Sequence, residues 1–260
     1  MMSNKINTID FKSKNASNEF VESLVNTGFA VVNNHNINYK LIDTVYNEWA
    51  EFFNSKTKYD YLFDLEKQDG YFPMKSENAK GYSVKDIKEF YHIYLPWGRI
   101  PKKLSKNTLQ IRSELKGIGT ELLSWIDDLT PSNIKSNFSM PLQNMIDKSE
   151  TNLLRILHYP PIRSEDDKYA LRAAAHEDIN LITILLSGSK PGLQVKGTEN
   201  AWMDVESDYG SLIVNIGDML QECSMGYFPS TTHRVINPID DNANKSRYSM
   251  PFFLHPRDEV

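Results

Sequence analysis

The sequence has few of the features that mark secreted or membrane-bound proteins. It contains one cysteine, Cys223, in 260 residues, so no disulfide can form within the chain. Residues 1–13 include no apolar segment of the kind that a secretion signal needs. The dense apolar run at residues 181–186 is interrupted by Thr183 and is far shorter than the roughly 20 residues of a membrane-spanning helix. We therefore expect a soluble, cytoplasmic protein.

Positive charge is also scarce. The chain has 29 Lys and Arg residues against 34 Asp and Glu residues, which gives a formal net charge of −5 at pH 7. Proteins that bind nucleic acid usually carry a basic excess that neutralises phosphates, so we expect no nucleic-acid partner. The hydrophobic fraction of 40% and the charged fraction of 24% are ordinary globular values, which argue against a disordered, collagen-like or coiled-coil chain.

Two apolar patterns predict amphipathic helices in the first half of the chain. Apolar residues recur at steps of three and four over residues 41–53 and again over residues 115–129. Pro131 ends the second pattern because proline cannot continue a hydrogen-bonded helix. Before the first helix, the β-favouring residues 29–32 predict a buried strand. The aromatic-rich stretch at residues 59–95 shows no clear period, and its structure is not predicted.

The second half of the chain changes character. Short β-favouring runs are separated by Gly, Pro, Asn and Asp, a spacing typical of a β-sandwich or β-barrel. These runs span residues 181–186, 193–195, 202–205, 211–216, 232–236 and 247–253. No repeat and no Pro/Gly/Ser-rich linker separates the halves. We predict a single domain over residues 1–260, with a mixed, mostly helical part at 1–150 packed on a β core at 151–260.

Histidine is rare enough for each residue to be considered. Among the six histidines, His176 and His233 have neighbours that suggest chemistry. His176 and Asp178 are two residues apart, which on an extended chain places both side chains on one side, in a chelating geometry. A single His-x-Asp pair is weak evidence, because short motifs arise by chance and many histidines are simply hydrogen-bonded parts of a fold. His233 can supply a third ligand, because an antiparallel barrel can bring a late strand beside an early one.

Two histidines and one carboxylate on one face of a metal ion leave the opposite positions open. This arrangement is typical of non-haem Fe(II) enzymes, which bind oxygen and an organic ligand there. Zinc in a hydrolase is the competing interpretation. The helical H-E-x-x-H pattern is absent, however, because His176 and Glu177 are followed by Asp, Ile and Asn. The pattern therefore favours iron.

Arg247 and Ser249 form a second pair at the spacing of one strand face. A guanidinium fork and a hydroxyl from one face can hold a carboxylate. The alternative is a solvated surface arginine. We favour the carboxylate site because Arg247 lies between a hydrophobic run and the candidate ligand His233.

In addition, residues 153–253 resemble the isopenicillin N synthase-like branch of the Fe(II)- and 2-oxoglutarate-dependent oxygenases. Five segments follow the family's order: RILHYPP at 155–161, HED at 176–178, GSLIVNIGD at 210–218, THRV at 232–235 and RYS at 247–249. In the first half, residues 28–35 resemble the family's early strand, and residues 88–92 resemble its segment near the substrate. Each segment alone is weak evidence, whereas their shared order is specific.

The resemblance implies a fold that is mainly β with flanking helices, around a distorted double-stranded β-helix, or cupin-like jelly roll. It implies Fe(II) bound by His176, Asp178 and His233. It also implies 2-oxoglutarate bound through its distal carboxylate by Arg247, Ser249 and Tyr159. The implied reaction is oxidation of a small molecule by O2, usually hydroxylation, with release of succinate and CO2. Halogenation is disfavoured because the related halogenases lack the carboxylate that Asp178 provides.

The resemblance further implies that the substrate lies between the iron and residues 81–92. We expect His92, Tyr82 and Tyr91 to line that pocket, and the alternative is that some of these side chains simply cover the barrel. The role of His158 stays open, because many plant members carry tyrosine at its position.

Two related activities remain as alternatives. Enzymes like isopenicillin N synthase or aminocyclopropanecarboxylate oxidase keep the fold and the metal ligands but do not use 2-oxoglutarate. A non-catalytic, cupin-like metal- or ligand-binding protein ranks lower. The sequence predicts neither the identity of the substrate nor the oligomeric state.

Overall fold

The computed structural model describes residues 6–76, 85–162, 171–187, 192–197, 201–238 and 245–260. The long helices are α1 (Ala16–Thr27), α2 (Tyr39–Asn54) and α3 (Ser105–Leu129). A 3-10 helix spans Lys56–Tyr61, and the short helices are α4 (Ser132–Lys135), α5 (Leu142–Met145) and α6 (Asp218–Cys223). Within the described ranges, none of these helices is long and apolar enough to cross a membrane.

Helix α2 confirms the first predicted helix. The apolar stripe at residues 41–53 is buried, with Trp49 at 0% exposure. The Asn38 side chain accepts a hydrogen bond from the backbone N–H of Lys40 and so caps the helix. Nε1 of Trp49 donates to Oγ1 of Thr108 on α3 at 3.0 Å, which joins the two helices by a buried polar contact as well as by apolar packing.

Helix α3 confirms the second predicted helix and extends it. It begins at Ser105, well before the predicted stripe at residue 115, and ends at Leu129 ahead of Pro131. The last residue of the stripe, Leu129, is 38% exposed, so the buried apolar residues of the helix end at Ile126, and the polar Asp127 is the last buried residue.

The strands form two sheets. The larger sheet contains β1 (Thr8–Asp10), β2 (Phe29–Asn33), β3 (Gly70–Phe72), β4 (Glu89–Ile93), β5 (Leu153–Tyr159), β7 (Ile182–Leu186), β10 (Leu212–Ile216) and β12 (Arg247–Leu254). Their spatial order is β1-β2-β10-β7-β12-β5-β4-β3. The smaller sheet contains β6 (Ala173–His176), β8 (Leu193–Lys196), β9 (Trp202–Asp204) and β11 (His233–Val235), in the order β6-β11-β8-β9.

The alternation of side chains along the strands divides the core into two layers. On β2, Ala30 and Val32 face the helices, whereas Phe29 and Val31 join the apolar cluster shared with the smaller sheet. That second cluster also contains Leu193 and other residues of β8, β10 and β11. The larger sheet is therefore covered by helices on one face and by the smaller sheet on the other. This is the predicted fold class, a double-stranded β-helix with flanking helices.

The part of the chain predicted to be mostly helical also builds half of the larger sheet. Strands β1 to β4 lie within residues 1–150, and β3 and β4 fall in the stretch for which the sequence shows no period. Strand β4 pairs with β5 over five residues, and β3 pairs with β4 over three. Both strands are buried along their whole length, so they lack the apolar–polar alternation by which strands are usually detected.

Two glycines of α3 predict opposite effects of the same substitution. A Cβ at Gly117 would meet nothing within 4 Å, so Gly117→Ala should stabilise the protein by about 1 kcal/mol through helix propensity. A Cβ at Gly119 would overlap Leu254 and lie 3.0 Å from Cδ1 of Ile184. Gly119→Ala should therefore destabilise the protein by about 1–3 kcal/mol. Denaturant unfolding measures both effects, and equal shifts for the two variants would contradict the close packing of α3 on the sheet.

Candidate metal centre and its cavity

Three predicted side chains meet at one end of the two sheets. Strand β6 ends at His176, β11 begins at His233, and the register of these antiparallel strands places the two histidines opposite each other. Their ring centroids are 4.4 Å apart, and each Nε2 lies 3.9 Å from Oδ1 of Asp178. One ligand atom from each residue lies within 4.8 Å of the others, a spacing that fits a single metal ion.

Backbone carbonyls determine which nitrogen of each imidazole faces the centre. Nδ1 of His176 lies 2.8 Å from the carbonyl oxygen of Ala174, and Nδ1 of His233 lies 3.1 Å from that of Thr231. Because a carbonyl oxygen only accepts hydrogen bonds, each Nδ1 carries a proton and donates it. Desolvation and the neighbouring His233 lower the pKa of His176, which favours its neutral form. Its Nε2 therefore presents a lone pair to the centre.

The carboxylate of Asp178 is oriented by two side chains behind it. Its Oδ2 accepts hydrogen bonds from Oγ1 of Thr183 at 2.5 Å and from Nδ2 of Asn215 at 2.8 Å. Thr183 and Asn215 are direct partners across strands β7 and β10, which puts both side chains on the same face. Burial opposes ionisation of Asp178, but the two histidines and these hydrogen bonds hold its pKa below the usual value. A charged Oδ1 is thus directed at the histidines.

The loop that carries Asp178 is held by the start of α6. The backbone N–H groups of Gly217, Asp218 and Met219 donate to the carbonyl oxygens of Leu181, Asp178 and Ile179, respectively. A Cβ at position 217 would overlap the backbone of Asn180, so this approach requires glycine. The end of the segment GSLIVNIGD at residues 210–218 thus has a structural role: it positions the acidic ligand.

The cavity between the sheets also contains the predicted carboxylate site. Arg247, Ser249 and Tyr159 line the same cavity as the three metal-ligand candidates. On paired strands β12 and β5, Arg247 lies opposite Tyr159, and its guanidinium carbon is 5.1 Å from the centre of that ring. Arg247 is 4% exposed and Ser249 is 2% exposed, so a carboxylate bound there would be shielded from water.

The three residues predicted near the substrate have different positions. Tyr82 lies outside the described residues. Tyr91 is 0% exposed, packs against Trp49 at a ring distance of 5.0 Å, and is on the helix-facing side of β4. His92 points the other way, because neighbouring residues of a strand face opposite sides. The structure therefore places Tyr91 among the core aromatics and not in the cavity.

His92 contacts the cavity indirectly, through the side chain of Arg155. It lies opposite Arg155 across β4 and β5, and its Nε2 accepts a hydrogen bond from Nε of Arg155 at 2.8 Å. Nδ1 of His92 is 2.8 Å from the carbonyl oxygen of Gln68. Arg155 lines the cavity, and its guanidinium carbon lies 4.6 Å from the ring centre of Phe90.

His158, whose role the sequence left open, faces away from the cavity. Its Nδ1 is 2.7 Å from Oε1 of Glu89, and its Nε2 is 2.9 Å from Oγ of Ser246. Glu89 also pairs with Lys58 at 2.8 Å. His158 therefore belongs to a buried polar network on the helix side of the sheet, whereas the next residue, Tyr159, points into the cavity.

The sequence alone does not predict functional roles for Thr183, Asn215 and Arg155, although a feature of the sequence points to each. Thr183 was visible as the polar interruption of an apolar run. Asn215 and Arg155 were part of quoted segments without a role assigned to their side chains. The role of each depends on a partner from a distant strand, which spacing along the chain does not show.

Comparisons with known proteins agree with this geometry. A family model described as the 2OG-Fe(II) oxygenase superfamily matches residues 150–256. A second, described as the N-terminal region of non-haem dioxygenases in morphine synthesis, matches residues 6–111.

Individual relatives match over most of the chain. A crystal structure of a protein from Shewanella oneidensis, described as a putative oxygenase, is 52% identical, with a TM-score of 0.90 over 98% of this chain and 92% of that one. A Neurospora crassa protein crystallised in complex with alpha-KG and thymine is 25% identical, with a TM-score of 0.81 over 98% of this chain and 87% of that one. Jasmonate-induced oxygenase 4 of Arabidopsis thaliana is 31% identical over 90% of this chain, which spans 66% of that relative's length.

The contact between Gly217 and Asn180 predicts a sensitive position. Gly217→Ala should destabilise the protein by about 2–3 kcal/mol because the added methyl group would displace the backbone beside Asp178. It should also accelerate amide hydrogen exchange at Asp218 and Met219, whose N–H groups hold the loop. Denaturant unfolding and exchange measurements check these effects, with Gly117→Ala as the control. Wild-type stability and exchange in the Gly217 variant would contradict the described docking of the loop.

Proposed function

This chain belongs to the 2-oxoglutarate–Fe(II) oxygenase superfamily, an oxidoreductase family that uses Fe(II), 2-oxoglutarate and O2, and we propose that it hydroxylates a small molecule in the cavity between its two sheets. The observation that carries this proposal is the convergence of two sites. The metal-ligand candidates and a buried arginine with a neighbouring serine line one cavity.

We assign the iron ligands as His176, Asp178 and His233. Two imidazole nitrogens and one carboxylate oxygen occupy one side of the centre, which leaves the positions on the cavity side for other ligands. When bound, iron activates O2 at the expense of 2-oxoglutarate, which yields succinate and CO2 together with an oxidised substrate. The carbonyls of Ala174 and Thr231 keep both imidazoles in the ligating tautomer.

We assign Arg247, Ser249 and Tyr159 to the distal carboxylate of 2-oxoglutarate. A guanidinium offers two parallel N–H donors that match the two oxygens of a carboxylate. Ser249 adds a hydroxyl from the same strand face, and Tyr159 supports the guanidinium through its ring. This end of the cavity is buried, so solvent ions would only weakly screen the attraction between Arg247 and the bound carboxylate.

For the substrate, we propose a small molecule with a hydrogen-bond acceptor, such as a carbonyl or carboxylate oxygen, that meets Arg155. His92 acts as a positioning residue because its ring nitrogen fixes Nε of the arginine. Apolar residues around the centre, including Phe29 and Leu185, exclude water from the reacting atoms. The thymine in the complex of the Neurospora crassa protein is a small molecule of this general type.

The iron assignment predicts the loss of metal binding when Asp178 is removed. Asp178→Ala deletes the anionic ligand and should abolish stoichiometric Fe(II) binding, measured as metal content after anaerobic reconstitution. Thr183→Val keeps the ligand but removes one of its two side-chain donors, so Fe(II) affinity should fall about 10- to 100-fold.

The control for the iron experiment is Asp147→Ala, because the side chain of Asp147 is 63% exposed at the surface. It should bind iron like the wild-type protein. Wild-type iron affinity in the Asp178 variant would overturn the assignment of the metal centre.

The substrate assignment predicts a separate defect. A metabolite screen for succinate formation, started by admitting O2 to the reconstituted protein, identifies a substrate. Arg155→Met and His92→Leu should then raise the KM for that substrate by about tenfold or more. The first variant removes the charge-assisted contact to the substrate, and the second removes the ring that orients Arg155. Binding of Fe(II) and 2-oxoglutarate should stay at the wild-type level.

Tyr91→Phe provides the matched control on the same strand, since the Tyr91 hydroxyl donates to the carbonyl of Arg99 outside the cavity. It should keep the wild-type KM. If the Tyr91 variant loses substrate affinity while the Arg155 and His92 variants keep it, the proposed placement of the substrate is wrong.

A further inference from the structure

A second buried arginine contacts the segment that leads into β12, the strand of the proposed carboxylate site. Arg172 is 0% exposed and immediately precedes strand β6. Its Nη2 donates to the carbonyl of Lys245 at 3.2 Å, and its backbone N–H donates to Oδ1 of Asn237 at 3.1 Å. Its Nε and Nη1 are buried without a hydrogen-bond partner. Among the described residues, no carboxylate lies within ion-pair distance of this guanidinium.

Unsatisfied donors alone do not identify a site, because the chain contains another arginine of this kind. Arg112 on α3 is 7% exposed, donates to the carbonyl of Asn152 at 3.1 Å, and has a buried Nε without a partner. Its guanidinium carbon lies 5.2 Å from the ring centre of Phe252 in the helix-facing core. Arg112 shows that this fold tolerates a buried arginine supported by a carbonyl and a ring.

Arg172 differs from Arg112 in its neighbours. Burial, and to a smaller extent the nearby charge of Arg247, lower the pKa of Arg172 to about 10, whereas Tyr159 acts in the opposite direction. Burial alone accounts for the shift of Arg112. Arg172 therefore interacts electrostatically with two of the residues assigned to the distal carboxylate. The hydrogen bond from Arg172 to the carbonyl of Lys245 also links Arg172 to a residue that is two positions before Arg247.

We propose that Arg172 is a second cation of the cosubstrate site, which acts from behind Arg247 to favour binding of a ligand with a distal carboxylate. Two buried guanidinium groups that repel each other are stabilised when an anion enters beside them. This inference rests on the proposed function, because it assumes that Arg247 holds the distal carboxylate of 2-oxoglutarate. Arg172 is a positioning residue in this scheme and does not line the cavity.

The test compares two ligands that differ in the distal group. 2-Oxoglutarate has a distal carboxylate, whereas 2-oxopentanoate carries a methyl group there. Anaerobic calorimetry on the Fe(II)-loaded protein gives the Kd of each. Arg172→Met should raise the Kd for 2-oxoglutarate by about tenfold or more and change the Kd for 2-oxopentanoate by less than about twofold.

Two other variants separate the possible outcomes. Arg112→Met removes a comparable buried arginine and should leave both Kd values unchanged. Arg247→Met tests the proposed function itself and should weaken binding of 2-oxoglutarate. If the Arg247 variant binds 2-oxoglutarate normally, the proposed carboxylate site is wrong. If only the Arg247 variant is impaired, the carboxylate site stands and the role of Arg172 is overturned.

The two Kd values also distinguish a general structural role of Arg172 from the proposed role in binding the distal carboxylate. If Arg172→Met weakens both ligands equally, the cavity is damaged and the proposal is overturned. If that variant does not fold, Arg172→Gln removes the charge while keeping a donor for the carbonyl of Lys245, and the same two Kd values decide. Arg172→Lys should recover at least part of the preference for 2-oxoglutarate, because it restores the charge.

Discussion

The active centre depends on a set of backbone hydrogen bonds between two segments that are distant in sequence. Asp178 follows a strand but does not belong to one, so its loop lacks the bonds of a sheet. The first N–H groups of a helix likewise lack partners within the helix. The hydrogen bonds between residues 178–181 and 217–219 provide partners both for carbonyl groups of the loop and for the first N–H groups of α6. With Asn215 bound to its carboxylate, Asp178 has a defined place before any metal binds.

Strand register then determines which side chains share the cavity with this carboxylate. Pairing of β7 with β10 places Thr183 beside Asn215, and pairing of β4 with β5 places His92 beside Arg155. Pairing of β12 with β5 brings Arg247 to Tyr159. A slip of one residue in any pair would turn these side chains towards the helices, because alternate residues face opposite sides. The burial of both faces of the larger sheet opposes such slips.

The sequence predicted that Arg247 and Ser249 share one face of a strand, and both line the cavity, whereas their role in binding a carboxylate stays a prediction. Ordered motifs also predicted the family and the fold class, which the comparisons confirm. Tyr91 and His92 show the limit of that reasoning, because adjacent residues cannot both face one cavity once they lie in a strand. The roles of Thr183 and Arg172 depend on partners far along the chain. The single domain and the absence of a nucleic-acid partner remain predictions.

The position of β2 in the larger sheet affects how this protein can fold during synthesis. Strand β2 at residues 29–33 pairs with β10 at residues 212–216, so an early segment can form its sheet pairing only after most of the chain has been synthesised. The same holds for α2, where the hydroxyl of Tyr46 donates to the carbonyl of Leu186. Such distant contacts slow folding and leave apolar faces uncovered in the nascent chain. The helices are thus translated first and can pack on one another, but they acquire their partners on the late strands only near the end of synthesis.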